Sequence, residues 1–398
     1  MRYKNALLQQ RQIPSFYIKK MSEIFKLSYY ALAVSLFLLA IVFLFVPLPK
    51  HEGIRNFRIS LRVLSFSYLF LGAYCIIKSN YPIQLISFPF LIASIVQAHL
   101  LGMSHINMVN PKIINRSYII RKFTPVFAFI GLYIIIRCFE SHIPVYYDNL
   151  FFSLSENGHF HWEVLLRIAG LIYFVAISYQ YIVQYFREER ECRNRLSEYS
   201  ADENLFKGLF FIHLSFWFVI GIATTAVLIT FCLDICFCTI LNFLMLTLYI
   251  VVGILYMQYP KIFYSIYESG DVDLNHNEKT VNNAETNEWG KWKKDIISSH
   301  IYRKEGITIY QISQELSMER KQLSYFINTK EKCNFNTFIN RLRIEDAQQM
   351  VIEHPEYSFF EIALLVGYTD QANFSRKFKE TTGVSPSEYK KSVQKESK

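Results

Sequence analysis

Seven apolar runs, each close to bilayer-crossing length, occupy the chain between residues 28 and 258. They fall at about 28–48, 61–77, 82–103, 123–139, 164–185, 208–231 and 239–258, the second and fourth being short. A chain of 398 residues with 52% apolar, 17% aromatic and only 19% charged residues is too apolar for an ordinary soluble protein. The first run lies too far from the start, and lacks the small-residue cleavage site, to read as a signal peptide. Seven cysteines at irregular spacing suggest neither a zinc site nor a disulfide framework. The fold class expected is all-α: a polytopic membrane helix bundle of about seven spans, followed by a smaller helical domain.

Charge between the runs sets an orientation, because cytoplasmic loops collect Lys and Arg. The first loop carries Lys50, Arg55, Arg58 and Arg62, and the third Lys112, Arg116, Arg121 and Lys122. The fifth carries Arg187, Arg190, Arg193, Arg195 and Lys207. The fourth loop, 141–163, and the sixth, around Asp234, contain no Lys or Arg. Odd loops are therefore expected in the cytoplasm, and seven spans put the C-terminal region there too, with the module in the cell inner membrane. The same count places the basic segment 1–27 outside, against the rule; translation from Met21 would remove most of that charge. N-terminal sequencing that returns Met1 or Arg2 would dismiss that start.

The expected division is a basic tail, 1–27; a seven-span module, 28–267; a polar linker, 268–288; and a helical domain, 289–398. A coil of the linker's length has an r.m.s. reach of roughly 25 Å, so the last domain hangs near the inner leaflet and cannot receive a torque through it.

Within that domain, Glu361–Val366 reads as a short helix stopped by Gly367, which tolerates the left-handed conformation. Thr369 or Asp370 can cap a second helix running to about Thr381. Two short helices joined by a tight Gly turn make a helix-turn-helix. Phe374 and Phe378 must face its core, which leaves Ala372, Asn373, Arg376 and Lys379 on a polar, basic face suited to a major groove. Upstream, Trp289, Trp292, Ile296 and Ile297 line one face of a helix over about 289–300. Ile309–Leu316 and Arg320–Thr329 make a first helix-turn-helix, with Leu323, Phe326 and Ile327 inward and Lys321, Ser324, Tyr325 and Asn328 outward. Phe335–Glu353 is a long connecting helix, ended by Pro355.

These residues resemble the DNA-binding domain of the AraC/XylS-type regulators. Its landmarks stand here as Arg341-Leu-Arg343, Glu345, Ala347, Glu361-Ile-Ala363, Gly367-Tyr368, Phe374-Ser-Arg376, Phe378, Gly383 and Ser385-Pro-Ser-Glu-Tyr389. The likeness covers about 307–391, under a quarter of the chain. It implies two helices entering successive major grooves of double-stranded DNA about one helical turn apart. The DNA-contacting set it implies is Lys321, Ser324, Tyr325, Gln371, Ala372, Asn373, Arg376, Lys377 and Lys379. In it, Arg376 reads a guanine edge, Asn373 a base or phosphate, and Ala372 a thymine methyl. Lys377 and Lys379, with Lys330, Lys332 and Lys390, suit phosphates. The first unit departs from the pattern: Glu319 stands at a cap, Tyr325 where Arg is frequent, and Ser313 and Ser317 where Ala and Gly are usual. Tyr325 reads either as a groove contact or as a packed surface aromatic.

The function expected is a membrane-embedded, sequence-specific transcription regulator that answers a signal sensed by its spans. The partners are DNA, RNA polymerase, the lipid bilayer, a second copy, and a small-molecule or membrane signal. The alternative is a receptor or transporter-like protein whose tail binds a protein or tethers DNA. No Walker-type loop, His-Glu-x-x-His or Gly-x-Ser-x-Gly occurs, so neither an enzyme nor a cofactor is expected. In the fourth loop, His142, Asp148, Glu156, His159, His161 and Glu163 read as a metal or proton site or, more plainly, as solvated side chains. Gln97, His99, Gln180, Gln184, His213 and Asn242 lie at membrane depth, where they line a cavity or, more plainly, bond between helices. Cys232, Cys236 and Cys238 read as a redox switch or as buried apolar thiols, and Arg137 is placed to pair with Glu140.

Overall fold

The computed structural model describes residues 15–46, 52–78, 85–110, 112–140, 145, 155–156, 159–232, 234–257 and 283–396. Nearly all of these are helical. The first seven helices are α1 (Ser15–Phe45), α2 (Glu52–Lys78), α3 (Phe88–Val109), α4 (Arg116–Phe139), α5 (Trp162–Tyr199), α6 (Glu203–Thr230) and α7 (Ile235–Tyr256). All seven are long and apolar enough to cross a membrane. Before α5, two residue pairs, β1 (Ser155–Glu156) and β2 (His159–Phe160), form a small antiparallel ladder. The chain divides into two compact units: Met1–Glu189 with Phe210–Tyr264, and Arg190–Leu209 with Ser265–Lys398.

In the first unit α1 packs along α2 and α7, and α2 along α3. Large aromatic side chains fill the spaces between them. Phe88 of α3 stacks on Tyr133 of α4 at 3.7 Å, and Tyr185 of α5 on Phe216 of α6 at 3.8 Å. Close approach of α3 and α5 depends on Gly102, since a Cβ there would lie 2.5 Å from the Tyr181 ring. Most of the expected deep polar groups bond to protein partners. Asn242 donates to the Ser28 hydroxyl, Lys122 to Gln180, and Tyr118 to Gln184. His99 meets the Tyr181 hydroxyl at 2.9 Å, and Trp217 donates to His213 one turn away. Gln97 is buried beside Tyr249. His105, also buried, lies 3.0 Å from the Ser215 hydroxyl and 2.9 Å from that of Tyr256.

Two helix limits and one ion pair differ from the sequence reading. The helix holding the first run starts at Ser15, inside the segment read as a tail. α5 runs on to Tyr199, because Arg187–Arg195 are good helix formers even where they are too charged for lipid. Arg137 does not pair with the Glu140 carboxylate. It donates to the Glu140 carbonyl and lies 3.9 Å from Glu163, which also pairs with the buried Arg167. The Glu140 carboxylate instead accepts from the Trp162 and Glu163 amides at the start of α5. Cys232 and Cys238 are buried free thiols and Cys236 is exposed. Of the fourth-loop residues, His142 and Asp148 lie outside the described part; among described residues no group of His, Cys, Asp and Glu is placed to hold a metal.

The second unit contains α8 (Asn283–Ser299), a 3-10 turn (Ile301–Arg303), α9 (Ile309–Glu315), α10 (Arg320–Lys330), α11 (Phe335–Glu353), α12 (Phe359–Leu365), α13 (Gln371–Thr382) and α14 (Pro386–Glu396). α8 starts within the segment expected to be linker, most of which lies outside the described residues. Two cores share α11. Its first half joins Trp289, Ile296, Leu323 and Phe326, and its second half joins Ile362, Val366, Phe374 and Phe378.

Candidate nucleic-acid interface

The two helix pairs, α9–α10 and α12–α13, repeat one local design. Thr308 and Gln311 form a capping box on α9, and Ser358 and Glu361 form another on α12. In the turn after α9, Ser317 N donates to Gln314 O and Met318 N to Ser313 O. After α12, Gly367 N donates to Leu364 O and Tyr368 N to Ala363 O in the same way. Both turn residues are left-handed, at φ 51° for Ser317 and 94° for Gly367. Gly367 is also held by space, since a Cβ would lie 2.2 Å from the Arg303 carbonyl oxygen.

Buried polar groups lock these pairs to α11. The Arg343 guanidinium donates to the Tyr302 and Lys304 carbonyls at 2.7 and 2.8 Å, and lies over the Tyr368 ring. Tyr368 donates to Asn340 at 2.8 Å. Arg303 donates twice to Asp346, at 2.5 and 2.7 Å. Burial raises the neighbouring Tyr302 hydroxyl to about 12, with the Asp346 charge adding to it. Glu331 gathers Trp289, Lys293 and Arg341. Burial works to raise its carboxyl, but bonds from Lys293 and Trp289 and the two cations hold it below the usual range.

α13 is the clearest candidate to enter a groove. Asp370 caps it, accepting from the Asn373 amide at 2.7 Å. Phe374 and Phe378 are buried, while Gln371, Ala372, Arg376 and Lys379 are exposed. Arg376 donates to Glu380 at 3.0 Å and to the Asn373 side-chain oxygen at 3.1 Å; Lys377 bonds Glu380 at 2.9 Å. The Lys377 bond and both cations keep the Glu380 carboxyl below its ordinary range.

Sequence pattern missed four details of this face. Asn373 and Ser324, both expected outward, are each 7% exposed. Asn373 turns beneath Arg376, where its oxygen accepts from the guanidinium one turn on. Ser324 is covered where α10 packs, while Lys321 is exposed and Tyr325 half-buried against the first core. Lys390, expected on phosphate, donates to the Pro355 carbonyl at 2.7 Å and ties α14 to the turn after α11.

The fourth is Arg190–Leu209, which is built into this unit. Ser200 pairs with Thr308 in an antiparallel bridge, and Ala201 N donates to Ile307 O at 3.2 Å. Tyr199 and Ala201 belong to the first core. Asn328 donates to Glu198, Asn334 to the Ser197 hydroxyl, and Asn336 to the Ser200 carbonyl. Lys207 meets the α13 cap, Asp370, at 3.1 Å. No periodic pattern marks this segment; the only signal was its polarity between two apolar runs.

Comparison with known proteins fits this geometry. Residues 312–392 match the family described as Helix-turn-helix domain. The C-terminal region is an AraC-type helix-turn-helix domain. Over 88 residues, 22% of this chain, it is 35% identical to the raffinose operon transcriptional regulatory protein RafR of Pediococcus pentosaceus, covering 31% of that protein. It is 28% identical over 121 residues, 30% of this chain, to the Msm operon regulatory protein of Streptococcus mutans, covering 42% of it. It is 24% identical over 100 residues, 25% of this chain, to the probable transcription factor PqrA of Proteus vulgaris, covering 78% of it. The matched region thus spans less than half the length of the first two relatives. No solved structure matches the chain.

Proposed function

We propose that this protein is a membrane-embedded transcription regulator that binds double-stranded DNA in a sequence-specific way, with its AraC-type domain in the cytoplasm. The observation that carries the reading is the exposed face of α13, with Arg376 and Lys379 beside Gln371 and Ala372, on a capped helix locked to α11. Arg376 exchanges Glu380 for the O6 and N7 of a guanine, and Ala372 lies against a thymine methyl. Asn373 aims the guanidinium from below rather than reading a base itself. Lys377 and Lys379 take phosphates, which fix register and give salt dependence without sequence information. Lys321 and Tyr325 on α10 provide a second, weaker contact, since that helix lacks an Arg in its centre. Support for the membrane position comes from the seven apolar helices and from the Lys- and Arg-rich odd connections. The apolar helices sense a signal, and RNA polymerase and a second copy of the chain are further partners.

The test is a footprint of the full chain, in detergent or nanodiscs, on DNA fragments selected by the protein itself. Arg376→Ala is expected to lose about 1–3 kcal/mol of discrimination at one base pair while keeping non-specific binding. An unchanged footprint would remove α13 from the groove.

A further inference from the structure

We propose that Cys232 and Cys238 are a redox-active dithiol, a modification site that small disulfides of the outer compartment convert to an intramolecular disulfide. The site sits at the short connection between α6, which ends at Thr230, and α7, which begins at Ile235. Resting on the orientation proposed above, this connection, which has no Lys or Arg, faces outward, into a more oxidising compartment than the cytoplasm.

One backbone carbonyl draws the two cysteines together. Asp234 caps α7, its side chain accepting from the Phe237 amide at 2.7 Å. Its carbonyl accepts from the Cys238 amide at 2.9 Å and from the Cys232 thiol at 3.4 Å. The Cys238 thiol turns back the other way. It donates to the Cys232 carbonyl at 3.6 Å and lies beside the Cys232 thiol. The two sulfurs are therefore neighbours across a single turn, which is what closing a disulfide requires.

The surroundings give the two sulfurs different parts. Cys232 is 7% exposed and Cys238 3%, so an outside reagent meets Cys232 first. Cys238 borders a narrow crevice whose walls include Lys78, at the end of α2. The Lys78 ammonium is near enough to attract a Cys238 thiolate, the form that attacks a disulfide.

The chemistry is two successive thiol–disulfide exchanges. The Cys232 sulfur, its proton lost to water, attacks one sulfur of a disulfide RSSR; the S–S bond breaks, and RS⁻ leaves and takes up a proton. The Cys238 thiolate then attacks the Cys232 sulfur of the mixed disulfide. The second RS⁻ leaves and takes up the proton that Cys238 gave to water. The protein loses two electrons and two protons, and RSSR becomes two RSH. Neither protein sulfur then has a proton to donate, so the Asp234 and Cys232 carbonyls each lose a bond. The two states differ in the turn that joins α6 to α7, and the signal class this assigns to the spans is a thiol oxidant.

The test uses the full chain in nanodiscs, reduced and then exposed to hydroxyethyl disulfide. Free thiols are blocked with N-ethylmaleimide under denaturing conditions, and peptides are read by mass spectrometry. Cys232 and Cys238 are expected to escape the block together, linked to each other, and both to accept it after dithiothreitol. Cys238→Ser should stop with a hydroxyethylthio group on Cys232. Lys78→Gln should close about tenfold more slowly, with the difference shrinking as pH rises, and Lys78→Arg should restore the rate. Blocking of both thiols after oxidation, a wild-type chain that stops at the mixed disulfide, or a bond from Cys232 to Cys236 or Cys75 instead overturns the proposal. Sidedness is read separately, with a membrane-impermeant maleimide on the exposed Cys236 in right-side-out vesicles. Label that appears only after permeabilisation would count against the orientation and not against the pair.

Discussion

Ser317 shows how one residue separates two otherwise matching turns. It occupies the place that Gly367 holds in the second helix pair, with the same two backbone bonds and a left-handed φ of 51°. A side chain in that conformation costs roughly 1–2 kcal/mol. Ser317→Gly should therefore stabilise the domain by about 1 kcal/mol, read as a higher denaturation midpoint at unchanged m-value. Gly367→Ser should do far more harm, because the Arg303 carbonyl leaves no room. Asp370 tests electrostatics at the same scale. The Asn373 amide, with help from Lys207, holds its carboxyl below the usual range, while burial opposes this. A depressed carboxyl gives stability that is complete above the ordinary Asp range and is lost as pH falls through the folded-state value. The carboxylate is 38% exposed, so solvent screening limits the gain to a few tenths of a kcal/mol. Asp370→Asn keeps the capping oxygen and loses the titration. The wild-type advantage over it at pH 7 should vanish below about pH 3 in a denaturation series. The sequence placed this cap next to Thr369 as an alternative; the bond to Asn373 decides for Asp370.

Among the elements, the helices of the DNA-binding unit were largely legible. Cap chemistry and 3.6-residue spacing marked α9 to α13, with Phe335–Glu353 found at its full extent. α8 was placed late because its first turn is polar. The role of Arg190–Leu209 was not legible, since it rests on pairing between positions more than a hundred residues apart, such as Ala201 with Ile307. Ala201 is 2% exposed in the first core. Ala201→Asp buries a charge there and should release the segment, so that protease cuts between residues 190 and 209 while α12 and α13 stay protected. An unchanged digestion pattern would deny the segment its place in the unit. A DNA-binding fragment made from residues 283–398 alone lacks Tyr199 and Ala201, and should be less stable than one that restores 190–209.

At the scale of the whole molecule, the prediction concerns sidedness. Reporter fusions in the fourth connection should be active outside the cytoplasm, and fusions at the C-terminus inside it. Both reporters on one side would break the count of seven spans. The sequence by itself determined the helical class, the seven apolar segments and the DNA-binding domain. Those depend on local quantities: run length, charge between runs, caps and the spacing of aromatic residues. Only the tertiary structure decided that Asn373 and Ser324 are buried, and that the connection after α5 belongs to the DNA-binding unit. Each of these depends on which distant surface a side chain meets, and periodicity records only which way it points from its own helix.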